Sequence, residues 1–139
     1  MGGLILDSSV PIKAERDKLT VATLLHRIRE ITADEDVGLT AIGVTELFHG
    51  IYRADSPLRA QNRKLFLNTL LTRLPVFDYT LKVAELAGRI DGEQTMQGNI
   101  IPFIDLMIGA TALAHGYAIL TVNVRHFRMI PNLTVIPFS

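Results

Sequence analysis

Residues 101–122, IPFIDLMIGATALAHGYAILTV, admit two readings, and the choice between them decides the fold. About 20 apolar residues cross a bilayer, and this run carries a single formal charge, Asp105. Against a membrane span stand Pro102 and Asp105 at its start, His115 inside it, and Gly116, which reads as a helix stop before the strand-like AILTV of 118–122. A buried helix over Pro102–His115 followed by a buried strand accommodates all of them. One difficulty is left over. A lone ionised carboxylate is expensive to bury, so Asp105 needs a partner supplied from elsewhere in the chain.

Outward from this segment, strand and helix patterns alternate. GLIL (3–6) is a continuous apolar run ending at Asp7, as suits a strand buried on both faces. Val21, Leu24, Leu25, Ile28 and Ile31 recur at helical spacing and predict a helix over 20–33. VGLTAI (37–42) predicts a second strand, and Val44, Leu47, Phe48 and Ile51 a second helix whose opening turns carry Glu46. Ser56-Pro57 is an N-cap followed by proline at the first helical position, so a third helix runs to about Leu74. VFDY (76–79) follows as a strand. Asp78 or Thr80 then caps a helix from Leu81 into the low nineties, and LTVIP (133–137) is a last strand. Strands separated by helices imply an α/β fold: a mainly parallel sheet of four to five strands with helices on both faces, joined by right-handed crossovers.

The composition of the 139 residues, 48% of them hydrophobic, fits one domain spanning 1–139 with one substantial core. Lys plus Arg and Asp plus Glu are both 14, so no long-range field steers a polyanion, and nucleic-acid contact would rest on local patches or bound cations. Cysteine is absent, which excludes disulfides, thiolate zinc sites and a thiol nucleophile, and fits a reducing compartment. MGGLILDSSV lacks the basic segment and apolar length of a signal peptide; the expectation is a cytoplasmic protein without a membrane segment.

In an open parallel sheet, ligands bind beyond the carboxyl ends of the strands, where strand order reverses. Asp7 follows the first strand and Asn123 follows the fourth; Glu46 opens one helix and Asp105 another. All four therefore fall on the same rim, and Asp105 gains its company. Two like charges about 4 Å apart still repel by roughly 4 kcal/mol at an effective dielectric of 20. A divalent cation reverses that sign. Three carboxylates and a carboxamide, without Cys or a His pair at metal spacing, are hard oxygen donors suited to Mg²⁺ or Mn²⁺, which would activate water and stabilise a phosphoryl-centred transition state. Ser8, Ser9, Thr45 and Thr121 are candidates to orient metal-bound water, although hydroxyls beside turns commonly satisfy backbone instead.

LILDSSV (4–10), TELFHG (45–50), DLMIGATALAHG (105–116) and TVNVRHF (121–127) together resemble, in order and spacing, the four signatures of a PIN domain of the VapC toxin type. The resemblance implies a PIN-like three-layer α/β/α sandwich and a small Mg²⁺- or Mn²⁺-dependent endoribonuclease, encoded with an antitoxin that wraps it and usually homodimeric. It maps the metal-binding acids onto Asp7, Glu46 and Asp105; the fourth catalytic position falls on Asn123, where many PIN domains carry Asp. Phe127 of the last signature reads as core, and His126 as either structural or catalytic.

Arg53, Arg59, Arg63, Lys64 and Arg73 oppose the single acid Asp55, and this local excess reads either as a solvated helix face or as an RNA-phosphate contact joined by Arg125 and Arg128. Phe48, Ile51, Tyr52, Leu65, Phe66 and Leu70 exceed one core-facing stripe on the second and third helices. They predict a two-fold dimer and a groove for an amphipathic antitoxin segment, which would place an Arg among the three acids. Two other classes compete. A receiver-like signalling module also sets an Asp at a strand end, but LDSS supplies one acid where that chemistry uses an adjacent pair. A non-catalytic PIN-like RNA- or partner-binding module is the second, and the full Asp, Glu, Asp set argues against it.

Overall fold

The computed structural model describes residues 2–33 and 35–139; Met1 and Asp34 lie outside the described residues. The elements follow in the order β1 (Gly3–Leu6), α1 (Ser9–Arg16), α2 (Val21–Thr32), β2 (Asp36–Thr40), α3 (Ala41–Tyr52), α4 (Pro57–Arg73), β3 (Val76–Phe77), α5 (Leu81–Met96), α6 (Phe103–Ala114), β4 (Ala118–Thr121), α7 (Val124–Phe127) and β5 (Val135–Pro137). The five strands form one sheet in the order β3-β2-β1-β4-β5, and every pairing is parallel. Growth runs from β1 outward through β2 to β3, then crosses back to β4 and β5 on the other side. The reversal falls between β1 and β4, which is where an open parallel sheet has its ligand crevice.

The central strands are apolar throughout because both their faces are covered. Their alternation divides the core in two. Leu4, Leu6, Ala118 and Leu120 pack with Val10 and Ala14 of α1, with Leu24, Leu25 and Ile28 of α2, and with Leu70 of α4. Ile5 and Ile119 face the opposite layer, where Val83, Ala87 and Ile90 of α5, Leu106 and Ile108 of α6, and Phe127 meet them. Helix α3 stands at the boundary, with Val44 packed on the first cluster and Ile42 on the second. The result is the expected three-layer α/β/α sandwich. Among the described residues no helix is long and apolar enough to cross a membrane.

Local signals account for most element starts. Thr20, Thr40, Ser56 and Thr80 each accept a hydrogen bond on the side-chain oxygen from the backbone N–H three residues on, and Pro57 opens α4. Thr80, and not Asp78, caps α5, whose helix runs on to Met96. Thr40 has two parts to play: it closes β2 and caps α3, so the strand expected over 37–42 ends at Thr40 and its last two residues begin the helix. Strand β3 shrinks to Val76–Phe77, and β5 begins at Val135 rather than Leu133. Helices α1 and α7 were not foreseen. Both are short, α1 starting at Ser9, two residues after Asp7, and α7 at Val124, directly after Asn123.

Candidate active site

Asp7 is the first residue beyond β1 and is 1% exposed. Its N–H donates to Leu120 O at 2.9 Å, which ties it to the neighbouring strand. Its Oδ2 accepts from Ser9 Oγ at 2.6 Å and from Thr121 Oγ1 at 2.8 Å. Those hydroxyls are in turn fixed by backbone: Ser9 Oγ accepts from Val122 N–H at 3.0 Å and Thr121 Oγ1 from Asn123 N–H at 2.9 Å. The ends of β1 and β4 are thus zipped together around one carboxylate oxygen. The other oxygen, Oδ1, is buried and has no hydrogen-bond partner among the described residues. Buried polar atoms rarely stay unpaired, so this one requires an explanation.

Glu46 reaches the rim from α3, where Ser8 Oγ donates to its Oε1 at 2.6 Å. Asp105, in the first turn of α6, accepts on Oδ2 from His126 Nδ1 of α7 at 2.6 Å. Both carboxyl groups are held above the ordinary carboxylate range, chiefly by burial. The Ser8 bond opposes this at Glu46, and the His126 bond opposes it at Asp105. The negative charge of Asp7 pushes both upward, and Asp105 pushes Glu46 further. Three acids from three separate elements therefore act on one another at the β1/β4 crevice. As placed, no three Asp, Glu, His or Cys side chains among the described residues converge into a closed ion-binding group.

The donor set fits a hard divalent cation. Each acid uses one oxygen on a protein donor, and at Asp7 the second oxygen is buried and unpaired among the described residues, which is the condition in which an anionic ligand gains most from a dication. Asp7, Glu46 and Asp105 are the residues that could hold Mg²⁺ or Mn²⁺ here.

The remaining candidates separate on inspection. Asn123 occupies the N-cap position of α7, exposed on the rim, and its side chain caps nothing. Ser8, Ser9 and Thr121 bond the carboxylates directly, while Thr45 donates to Ala41 O at 3.1 Å within its own helix, away from the acids' hydrogen-bond network. Arg63 donates to Gly50 O at 2.6 Å and lies 3.7 Å from Glu15, joining α4 to α3 and α1. Arg59 pairs with Asp55 at 3.4 Å. Both arginines line a groove of about 580 Å³ between α1, α3 and α4, floored by Leu47, Phe66, Leu67 and Leu70. Lys64 lines a shallow depression beside Tyr52. Arg53, Arg125 and Arg128 are exposed, the last two flanking His126 at the rim end of the molecule. Ile51 and Leu70, expected as surplus surface, are buried in the core; Phe48, Tyr52 and Leu65 remain exposed. The contact sequence reasoning did not find is His126 on Asp105. The only signal was the position of His126 in the last signature.

Comparison with known proteins agrees with this architecture. The chain matches the family model of the PIN domain over residues 4–132, and it belongs to that family. It is similar to Ribonuclease VapC1 of Rickettsia felis, with 28% identity over 137 residues covering 99% of this chain and 97% of that protein. The crystal structure of VapBC2 from Rickettsia felis bound to a DNA fragment from their promoter shares the fold, at a TM-score of 0.83 and 22% identity over 98% of each chain. So does VapBC-5 from Mycobacterium tuberculosis, a member of the VapBC family of toxin-antitoxin systems, at a TM-score of 0.74 and 17% identity over 100% of this chain and 99% of that one.

Proposed function

We propose that this chain is a hydrolytic endoribonuclease of the VapC type, the toxin of a toxin-antitoxin pair, acting in the cytoplasm as a single domain over residues 1–139. The observation that carries the reading is the meeting of Asp7, Glu46 and Asp105 at the β1/β4 crevice, with Asp7 Oδ1 buried and unpaired. The likeness to Ribonuclease VapC1 over nearly the whole chain supports the choice of RNA as substrate. In this reading the three carboxylates hold Mg²⁺ or Mn²⁺. When bound, the cation supplies Lewis-acid activation of water and charge stabilisation at phosphorus.

The chain's own residues do the rest. Ser9 and Thr121 fix Asp7, and Ser8 fixes Glu46, so that neither acid turns away from the crevice. Asn123, neutral and uncapped, faces solvent at the edge, where it hydrogen-bonds water or RNA. Arg125 and Arg128, within two residues of His126 on α7 and its C-cap, take the phosphate contacts, whereas Arg59 and Arg63 line the α1–α3–α4 groove. That groove takes the apolar face of an antitoxin segment, with an antitoxin Arg reaching the acids. Exposed Phe48, Tyr52 and Leu65 support a homodimer, which light scattering at micromolar concentration tests.

The decisive assay is cleavage of labelled single-stranded RNA by the purified, antitoxin-free chain. Cleavage with Mn²⁺ or Mg²⁺, lost in EDTA and restored by excess metal, is the expected result. Undiminished cleavage in EDTA would refute the metal-dependent mechanism.

A further inference from the structure

We infer that His126 is a positioning residue for Asp105: its imidazole holds one carboxylate oxygen so that the other is presented to a divalent cation. The inference rests on the reading of the rim as a cation site and goes beyond it by assigning a residue outside the acids.

The contact is made by packing and not by a chance surface encounter. His126 Nδ1 lies 2.6 Å from Asp105 Oδ2, a close contact across 21 residues of sequence. The Asp105 side chain is 12% exposed and that of His126 32%. The next residue, Phe127, is fully buried and fastens the four-residue helix α7 onto the second core cluster. What admits it is Gly109, one helical turn beyond Asp105 on the same face of α6. A Cβ there would overlap Ile130 Cδ1 and come within 3.3 Å of Phe127 Cδ1. The face of α6 that carries Asp105 is therefore the face on which the α7 region is seated, and the imidazole is delivered to the carboxylate by that seating.

The arrangement repeats what Ser8 does for Glu46 and what Ser9 and Thr121 do for Asp7. Each acid has a protein donor on one oxygen. His126 completes the set for the acid that no hydroxyl reaches. Outer donors of this kind orient metal-ligating carboxylates, and their loss typically reduces metal affinity by about 10–100-fold.

The test is calorimetric titration of Mn²⁺ into the metal-free full chain at fixed pH. It compares wild type with His126→Ala, His126→Asn, His126→Gln and Asp105→Asn. The Asn amide nitrogen stands on Cγ, as Nδ1 does, and keeps the donor in place; the Gln amide carries it one carbon further out. Expected is a loss of Mn²⁺ affinity of about 10–100-fold for His126→Ala, most of it recovered by Asn and not by Gln. Urea midpoints should be near wild type, and kcat for RNA cleavage should fall with little change in KM. Should the Ala variant fail to fold, the Asn-against-Gln difference carries the same prediction. Equal Mn²⁺ affinity across the His126 variants, with Asp105→Asn still weakened, overturns the inference and leaves the cation site standing. A wild-type chain that binds no Mn²⁺ overturns both.

Discussion

Before β4, the rings of His115 and Tyr117 lie 4.6 and 5.6 Å from Phe77, while Tyr117 closes over bare backbone at Gly2 and Gly3 and Phe77 over Gly38. At the carboxyl ends of β1 and β4, Asp7 and Thr121 are buried side by side, with Glu46 and Asp105 brought to them by helices. The first region meets the ordinary demands of a folded chain: the rings pack on one another and on glycine backbone, and His115 Nδ1 is hydrogen-bonded to Thr111 O at 2.9 Å. The second violates two of those demands. It gathers like charges under partial burial and leaves a buried carboxylate oxygen unpaired. Stability explains the aromatic end and does not explain the acidic one. That contrast is the physical signature of a site in which a ligand is the missing term.

Substitutions should therefore act oppositely at the two ends. The largest effect is expected for Asp105→Asn, which keeps an acceptor for His126 but removes a ligand charge. Cleavage of single-stranded RNA should fall by more than about a hundredfold, with the far-ultraviolet circular dichroism spectrum unchanged. Gly3→Ala should do the reverse. The new Cβ would meet the backbone oxygen of Asp36 at 2.6 Å and the Tyr117 ring at 2.9 Å, and overpacking of this kind costs about 1–3 kcal/mol. Urea unfolding should register that loss, while Mn²⁺ affinity of the folded protein stays as it was.

A smaller effect separates the ends by pH. Glu46 and Asp105 have folded pKa values raised above their ordinary ones, mainly by burial. Below the ordinary carboxylate pKa, folded and unfolded chains both keep these protons and nothing is lost. As pH climbs through that value the unfolded chain ionises first, and the metal-free fold loses stability until its own raised pKa is passed. Glu46→Gln retains an acceptor for Ser8 and should raise the urea midpoint of the metal-free protein at neutral pH. At about pH 3.5, below the ordinary carboxylate pKa, it should leave the midpoint unchanged. A midpoint gain of equal size at both pH values would show that charge is not the cause.

The smallest contrast lies among the arginines. Arg63→Ala removes the bond to Gly50 O between α4 and α3 and should cost about 1 kcal/mol. Arg59→Ala, whose partner Asp55 is as exposed as itself, should change the unfolding midpoint within error.

The sequence made the sheet and the acid-bearing rim legible for a definite reason. GLIL and AILT are buried on both faces and so read as uninterrupted apolar runs, and an acid at the end of such a run has few structural uses. Helix α1 is only eight residues long and carries Pro11 in its first turn, where proline is tolerated, so it offers little helical periodicity to read. Helix α7, four residues long, has no periodicity to detect. Thr40 hid the β2/α3 boundary by serving both elements. In the site, the acids and the hydroxyls of Ser8, Ser9 and Thr121 were legible at the strand ends, but the imidazole partner of Asp105 was not. The bond between His126 and Asp105 spans 21 residues, and nothing in local pattern encodes it. A basic excess along α4 does not by itself tell which side chains turn into a groove, as Arg59 and Arg63 do.

Whether the acidic rim is a cation site can be read from folding itself. Urea unfolding at neutral pH, with and without saturating Mn²⁺, should show the wild-type chain stabilised by the ion, by about 2.7 kcal/mol at a hundredfold excess over Kd. Asp105→Asn should show little of that gain, and Gly3→Ala should show all of it from a lower starting point. An unchanged wild-type midpoint, or an equal gain in Asp105→Asn, would contradict the account.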